Sequence, residues 1–102
     1  MPEPIEIEIE SDLKSLIPRY LENRRTDLKT LEACLTNGDF ATVVRIGHGM
    51  KGSGGGYGLT HLTDLGARLE EAGKAEVVDS IRAIRAELDD FLKRLVVTFV
   101  EA

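Results

Sequence analysis

Apolar residues recur along most of this chain at spacings of three, four and seven, the period of a helix with one buried face. Leu13, Leu16, Ile17, Tyr20, Leu21, Leu28, Leu31 and Leu35 form the first such stripe. Ser11 and Asp12 stand before it as capping residues, and Asn37-Gly38 supplies its stop. Pro18 lies inside the stripe and either belongs to the first turn of the main helix or kinks a longer one. Asp39 is an N-cap for a second helix that starts at Phe40. A third pattern runs through Leu62, Leu65, Leu69 and Ala72, with Thr60 as its cap and Gly73 as its stop. The fourth sustains near-heptad spacing through Val77, Ile81, Ile84, Leu88, Phe91, Leu92, Leu95 and Phe99. Four amphipathic helices with short connections predict an all-α fold, an antiparallel four-helix bundle. Only the first ten residues depart from this period. There Ile5, Ile7 and Ile9 alternate with glutamates, as in a half-buried strand. With no second strand-like run to pair with, residues 1–10 are expected to be an extended or flexible tail, and residues 11–102 the bundle.

Composition narrows the classes. One hundred and two residues suffice for one domain with a single core. A net charge of −5 argues against nucleic acid as the partner, because phosphate backbones select a basic face. Cys34 is the only cysteine, which excludes an intrachain disulfide or a thiolate zinc site and fits a reducing, cytoplasmic setting. No secretion signal opens the chain, and no apolar run is long enough to span a membrane. A starting Met1 favours a free-standing protein.

One stretch is anomalous. Seven of the ten glycines fall between residues 47 and 58, around His48 and Lys51. Gly47-x-Gly49-x-x-Gly52 matches a dinucleotide fingerprint in letters, but the βαβ unit that gives those glycines their use is missing. The P-loop spacing Gly47-x4-Gly52 is followed by Ser53-Gly54, so the phosphate-binding lysine is misplaced. A helix accounts for more. At about 100° per residue, Val43, Ile46, Met50 and Tyr57 share one side, and His48 points nearly the opposite way. Gly47 and Gly54 lie at an edge of the apolar stripe, where a neighbouring helix carrying Gly66 can approach closely. Gly52 and Gly55 lie beside His48 and leave its ring clear, with Ala41 and Val44 supplying an apolar rim.

A clear imidazole is what a nucleophile needs when its electrophile is held in another protein's pocket. Lys51, at i+3 from His48, is placed to pair with phosphoryl oxygens, and Arg45, at i−3, is a second cation. No metal cluster or base surrounds His48 in the sequence, so the partner is expected to bring the metal and the activated phosphate. His61 lacks a lysine at i+3. Asp64 stands there instead and would repel phosphate, so His61 reads as an ordinary surface histidine.

His48-x-x-Lys51-Gly52-Ser53 followed by Gly58-Leu59 resembles the signature of histidine-containing phosphotransfer (HPt) domains of bacterial two-component phosphorelays. Gly38-Asp39-Phe40 before the active helix and Leu69-Glu70-Glu71-Ala72 in the next extend the likeness over nearly all of residues 12–95. The resemblance implies a monomeric four-helix carrier, not an enzyme with its own substrate. It implies that His48 takes a phosphoryl group from a receiver-domain aspartate or a sensor or hybrid histidine kinase, and passes it to a response-regulator aspartate. It also implies Mg²⁺ on the receiver and no cofactor on the carrier. Carried over residue by residue, His48 is the phosphorylated group, through Nε2, Lys51 stabilises the phosphate, and Gly52 clears the docking face. In the phosphotransfer domains of chemotaxis kinases a glutamate on the following helix bonds the histidine, and Glu70 is the matching position. The departure is Gly54-Gly55-Gly56, which replaces long polar residues and predicts fraying or an early end of the active helix. Two other readings stay open: a helical docking module for a receiver or kinase that carries no phosphate, and a nucleotide-binding enzyme. Direction of transfer and cognate partners are not encoded in these residues.

Overall fold

A computed structural model describes residues 3–101. It contains four helices: α1 (Ile17–Asn37), α2 (Phe40–Gly54), α3 (Thr60–Ala75) and α4 (Val78–Arg94). Their buried stripes meet in one core, in which Leu31, Val43, Met50, Leu62, Leu69, Ile81 and Leu88 are all but inaccessible. Helix α2 packs most extensively on α3, while α4 contacts both α3 and α1.

The helix ends show which local signals governed. Ser11–Leu13 form a short 3₁₀ turn, and α1 begins only at Ile17, with Pro18 in its first turn. There the missing proline N–H breaks no helical hydrogen bond. Gly38, in the left-handed conformation at φ 69°, closes α1, and the next residue caps α2: Asp39 accepts a hydrogen bond from the Thr42 amide at 3.1 Å. Gly73 is not the stop of α3. The helix continues to Ala75 and ends at Glu76, a non-glycine residue at φ 56°. Gly73 is instead a packing glycine, since a Cβ there would come within 2.9 Å of Val44 Cγ2. Thr60 is the first helical residue of α3, not its cap, and the preceding Leu59 has no side chain able to accept.

The largest departure from the sequence reading is at the two chain ends. Helix α4 stops at Arg94, and Leu95–Val100 form a strand, β2, which pairs in parallel with β1 (Ile5–Glu10). The register sets Ile5 beside Leu95, Ile7 beside Val97 and Ile9 beside Phe99. These residues cover the core, and Ile9 is 2% exposed, whereas Glu6, Glu8, Glu10, Val96 and Thr98 face out. The reason is visible in Leu95-Val-Val-Thr-Phe-Val100. Leu95 and Phe99 fit both a helical i, i+4 step and a period-two alternation, so periodicity cannot choose between them. The run of β-branched residues favours the strand, and Ile5-Glu-Ile-Glu-Ile supplies its partner. The four helices form the connection that a parallel pair requires.

Candidate functional site

The site begins with the contact between α2 and α3. Gly47 and Gly54 on α2, and Gly66 and Gly73 on α3, are each spaced by seven residues and line the closest approach of the two helices. A Cβ on Gly47 would lie 2.5 Å from the Glu70 amide nitrogen and 2.8 Å from the Gly66 carbonyl oxygen. One on Gly54 would lie 2.7 Å from the Thr63 amide nitrogen, and one on Gly66 would collide with the Lys51 backbone. Glycine in a helix costs about 1 kcal/mol against alanine. Here that cost allows the backbone of α3 to come close enough for a side chain on α3 to reach beneath His48.

That side chain is Glu70. His48 lies in mid-α2 with 71% of its side chain exposed, and its Nδ1 is 3.1 Å from Glu70 Oε2. Lys51, one turn further along α2, places its ammonium 2.9 Å from Glu70 Oε1. Lys74, one turn beyond Glu70 on α3, lies 3.7 Å from Oε2. Glu70 is the one charged residue buried among the described residues, with 9% of its side chain exposed. That cover comes from these neighbours at the rim of the core rather than from depth. The hydrogen bond from Lys51 holds its carboxyl below the ordinary 4.5, helped by the His48 ring and the Lys51 and Lys74 charges, against the opposing effect of desolvation. An ionised carboxylate only accepts hydrogen bonds, so Nδ1 carries the proton. The lone pair is then on Nε2, at the solvent side.

The other expected site residues take distinct places. Arg45 is exposed and bonds Thr42 Oγ1 at 2.9 Å, back toward the start of α2 and the Asp39 cap. Gly52 is exposed with open space where a Cβ would stand. Gly55 is exposed but belongs to the 3₁₀ turn Gly55–Tyr57 that follows α2. Ala41 is exposed, and Val44 is half-buried with Cγ2 toward Gly73, so its contribution to an open rim is partial. His61 is exposed on α3 and stacks on Phe91 with ring centroids 5.0 Å apart. Cys34 is buried, and desolvation raises its thiol pKa, as in an unreactive core cysteine.

Helix α2 does end early, at Gly54, but its end is tethered. The Tyr20 hydroxyl on α1 is 2.8 Å from Ser53 Oγ, which donates to the Gly49 carbonyl at 2.8 Å. Tyr20 also stacks on Tyr57 with centroids 4.2 Å apart, and the Leu59 amide closes on the Gly54 carbonyl at 2.8 Å. Two participants, Lys74 and the Tyr20–Ser53 pair, went unnoticed in the sequence. The i+4 step from Glu70 could have flagged Lys74. Nothing local announces a bond between residues 20 and 53.

No helix is long and apolar enough to cross a membrane among the described residues. The family model for the Hpt domain matches residues 15–96, more than three quarters of the chain, including α1 through α4 with His48, Lys51, Glu70 and Lys74. No curated protein and no solved structure matches the chain. A helical chain with this match over most of its length belongs to the Hpt domain family, the phosphotransfer carriers of phosphorelays.

Proposed function

We propose that His48 is the phosphoacceptor of a phosphorelay, exchanging a phosphoryl group with the aspartate of a receiver domain. The observation that supports this most is the Nδ1 contact with Glu70 at 3.1 Å, which directs the Nε2 lone pair outward from an exposed ring. In the forward step Nε2 attacks the phosphorus of the partner's aspartyl phosphate. The N–P bond forms as the acyl P–O bond breaks, and the electron pair leaves with the aspartate carboxylate. The ring becomes an imidazolium whose Nδ1–H remains on Glu70, so the positive charge faces a carboxylate throughout. The reverse step returns the phosphoryl group to an aspartate by the same path. Lys51 pairs with the phosphoryl oxygens, and Arg45 contributes positive potential from the preceding turn. Mg²⁺ on the receiver supplies charge neutralisation at the aspartate. The chain brings position, tautomer and an unobstructed approach over Gly52, Gly55, Ala41 and the exposed part of Val44.

In this reading residues 11–102, whose core β1 covers, act as one cytoplasmic, monomeric carrier. The short turns between successive helices support an antiparallel bundle. A kinase or hybrid kinase loads the relay, and a response regulator unloads it. Incubation with a phosphorylated receiver domain should place an acid-labile, base-stable phosphate on the protein. In His48→Gln that label should disappear, and its persistence there would refute the assignment.

A further inference from the structure

Lys51 has two competing claims on its ammonium. In the unphosphorylated protein it is the closest cation to Glu70, at 2.9 Å from Oε1. In the proposed transfer it is also the cation that meets the phosphoryl group, one turn away at His48. That group carries about −1.5 to −2 charge at neutral pH, against −1 for a carboxylate. The phosphoryl oxygens are therefore the stronger attractor once the N–P bond forms. A covered carboxylate that loses its closest cation is destabilised in its charged form and is drawn toward protonation. The nearest available proton is the one on Nδ1. If Glu70 took it, the ring would lose the carboxylate that balances the imidazolium.

The structure holds a second cation in reserve. Lys74 lies 3.7 Å from Oε2, the same oxygen that His48 Nδ1 addresses, while Lys51 holds the other oxygen. Its side chain is 58% exposed and, among the described residues, keeps only this one ion pair, so it can close on the carboxylate without breaking another there. It also approaches from α3, the helix of Glu70 itself, and so is not displaced when Lys51 moves. We propose that Lys74 is a positioning residue: the standing counter-cation of Glu70, which keeps the carboxylate ionised and bonded to His48 Nδ1 when Lys51 turns to the phosphoryl oxygens. This rests on the phosphoacceptor reading of His48. The groups that face Glu70 are His48 and Lys51 from α2 and Lys74 from α3. Of these, Lys74 has no other assigned task. Its charge already acts in the required direction, favouring the ionised carboxylate.

The competing explanation is an ordinary i, i+4 Glu-Lys pair near a helix C-terminus. Such a pair would affect stability slightly and would not couple to His48. The experiment is a set of Lys51→Met, Lys74→Met and the double variant, each made with Glu70 intact and again with Glu70→Gln. Two readouts are taken separately. NMR on the unphosphorylated protein follows the Glu70 carboxyl titration and the His48 ring tautomer. Rapid-quench kinetics follow transfer from a phosphorylated receiver. Lys74→Met should slow transfer by up to about fivefold, the size of a partly exposed ion pair. It should slow transfer further in the Lys51→Met background, raise the Glu70 titration midpoint there, and have no effect in the Glu70→Gln background. Lys74→Arg should restore the rate. An unmoved Glu70 titration between Lys51→Met and the double variant would overturn the inference. So would an equal slowing by Lys74→Met whether Glu70 is intact or replaced by glutamine, which would mark a docking charge instead. Absence of phosphate on His48 would overturn the parent reading, and it is scored in the transfer assay alone.

Discussion

At the scale of single residues, the glycines of α2 divide by what surrounds them. Gly47 faces α3 backbone, and a methyl group there would meet the Glu70 amide at 2.5 Å. Overpacking of this kind costs about 1–3 kcal/mol and is only partly offset by the gain of about 1 kcal/mol in helix propensity. Gly47→Ala should therefore lower the urea midpoint, and it should also slow transfer, because the displaced segment carries Glu70. Gly49 is exposed, with open space where a Cβ would stand. Gly49→Ala should raise stability by about 0.5–1 kcal/mol, through helix propensity and a less flexible unfolded chain. Equal effects of the two substitutions would refute the close-approach account. Glu70 gives a pH signature. Its folded carboxyl lies below 4.5, so its contribution is complete above that pH and is lost as the pH falls through the folded value. Glu70→Gln should flatten the acid limb of stability below pH 4.5. A residual slope should remain, because Thr42 hydrogen bonds depress the Asp39 carboxyl in the same sense.

Among the elements, the strand pair is the least local. Ile9 belongs to the core at 2% exposure, and Phe99 packs beside it from the opposite end of the chain. Ile9→Ala should cost about 2–5 kcal/mol, a large share of the stability of a domain this size. Chemical denaturation measures it directly, and a loss below ~0.5 kcal/mol would show that the strands are not part of the cooperative unit. The helices were legible because each carries its own evidence. Their apolar stripes, the Asp39 cap and the Gly38 stop are all local signals. Three boundaries were not legible. Pro18 and Gly73 each allow two roles, and for Gly73 only packing against Val43 and Val44 chose between them. The run at 95–100 satisfies two periods at once, and only the presence of β1 alongside decided it.

For the molecule as a whole, the proposed function has a receiver domain dock on the exposed face of α2. Gly52 leaves that face open without supporting the fold, since nothing lies within 4 Å of an added Cβ. Gly52→Arg should weaken binding of a receiver domain and slow transfer, while the unfolding midpoint stays near that of the parent. Unchanged transfer rates would contradict an approach over this position. The sequence by itself determined the helical class, the exposure of His48 opposite Val43 and Met50, and the pairing of His48 with Lys51 on one face. All of these follow from a helical period acting within one segment. Glu70 was within reach of the sequence only through its match to a family position. Its contact with Nδ1 depends on how closely α3 approaches α2, a distance set by Gly47 and Gly66 together. The i, i+4 step within α3 already allowed the Lys74 contact, whereas the tertiary structure alone decided the Tyr20–Ser53 tether and the β1–β2 pair. Each of these two joins elements far apart in the chain, and no period within a single segment records such a relation.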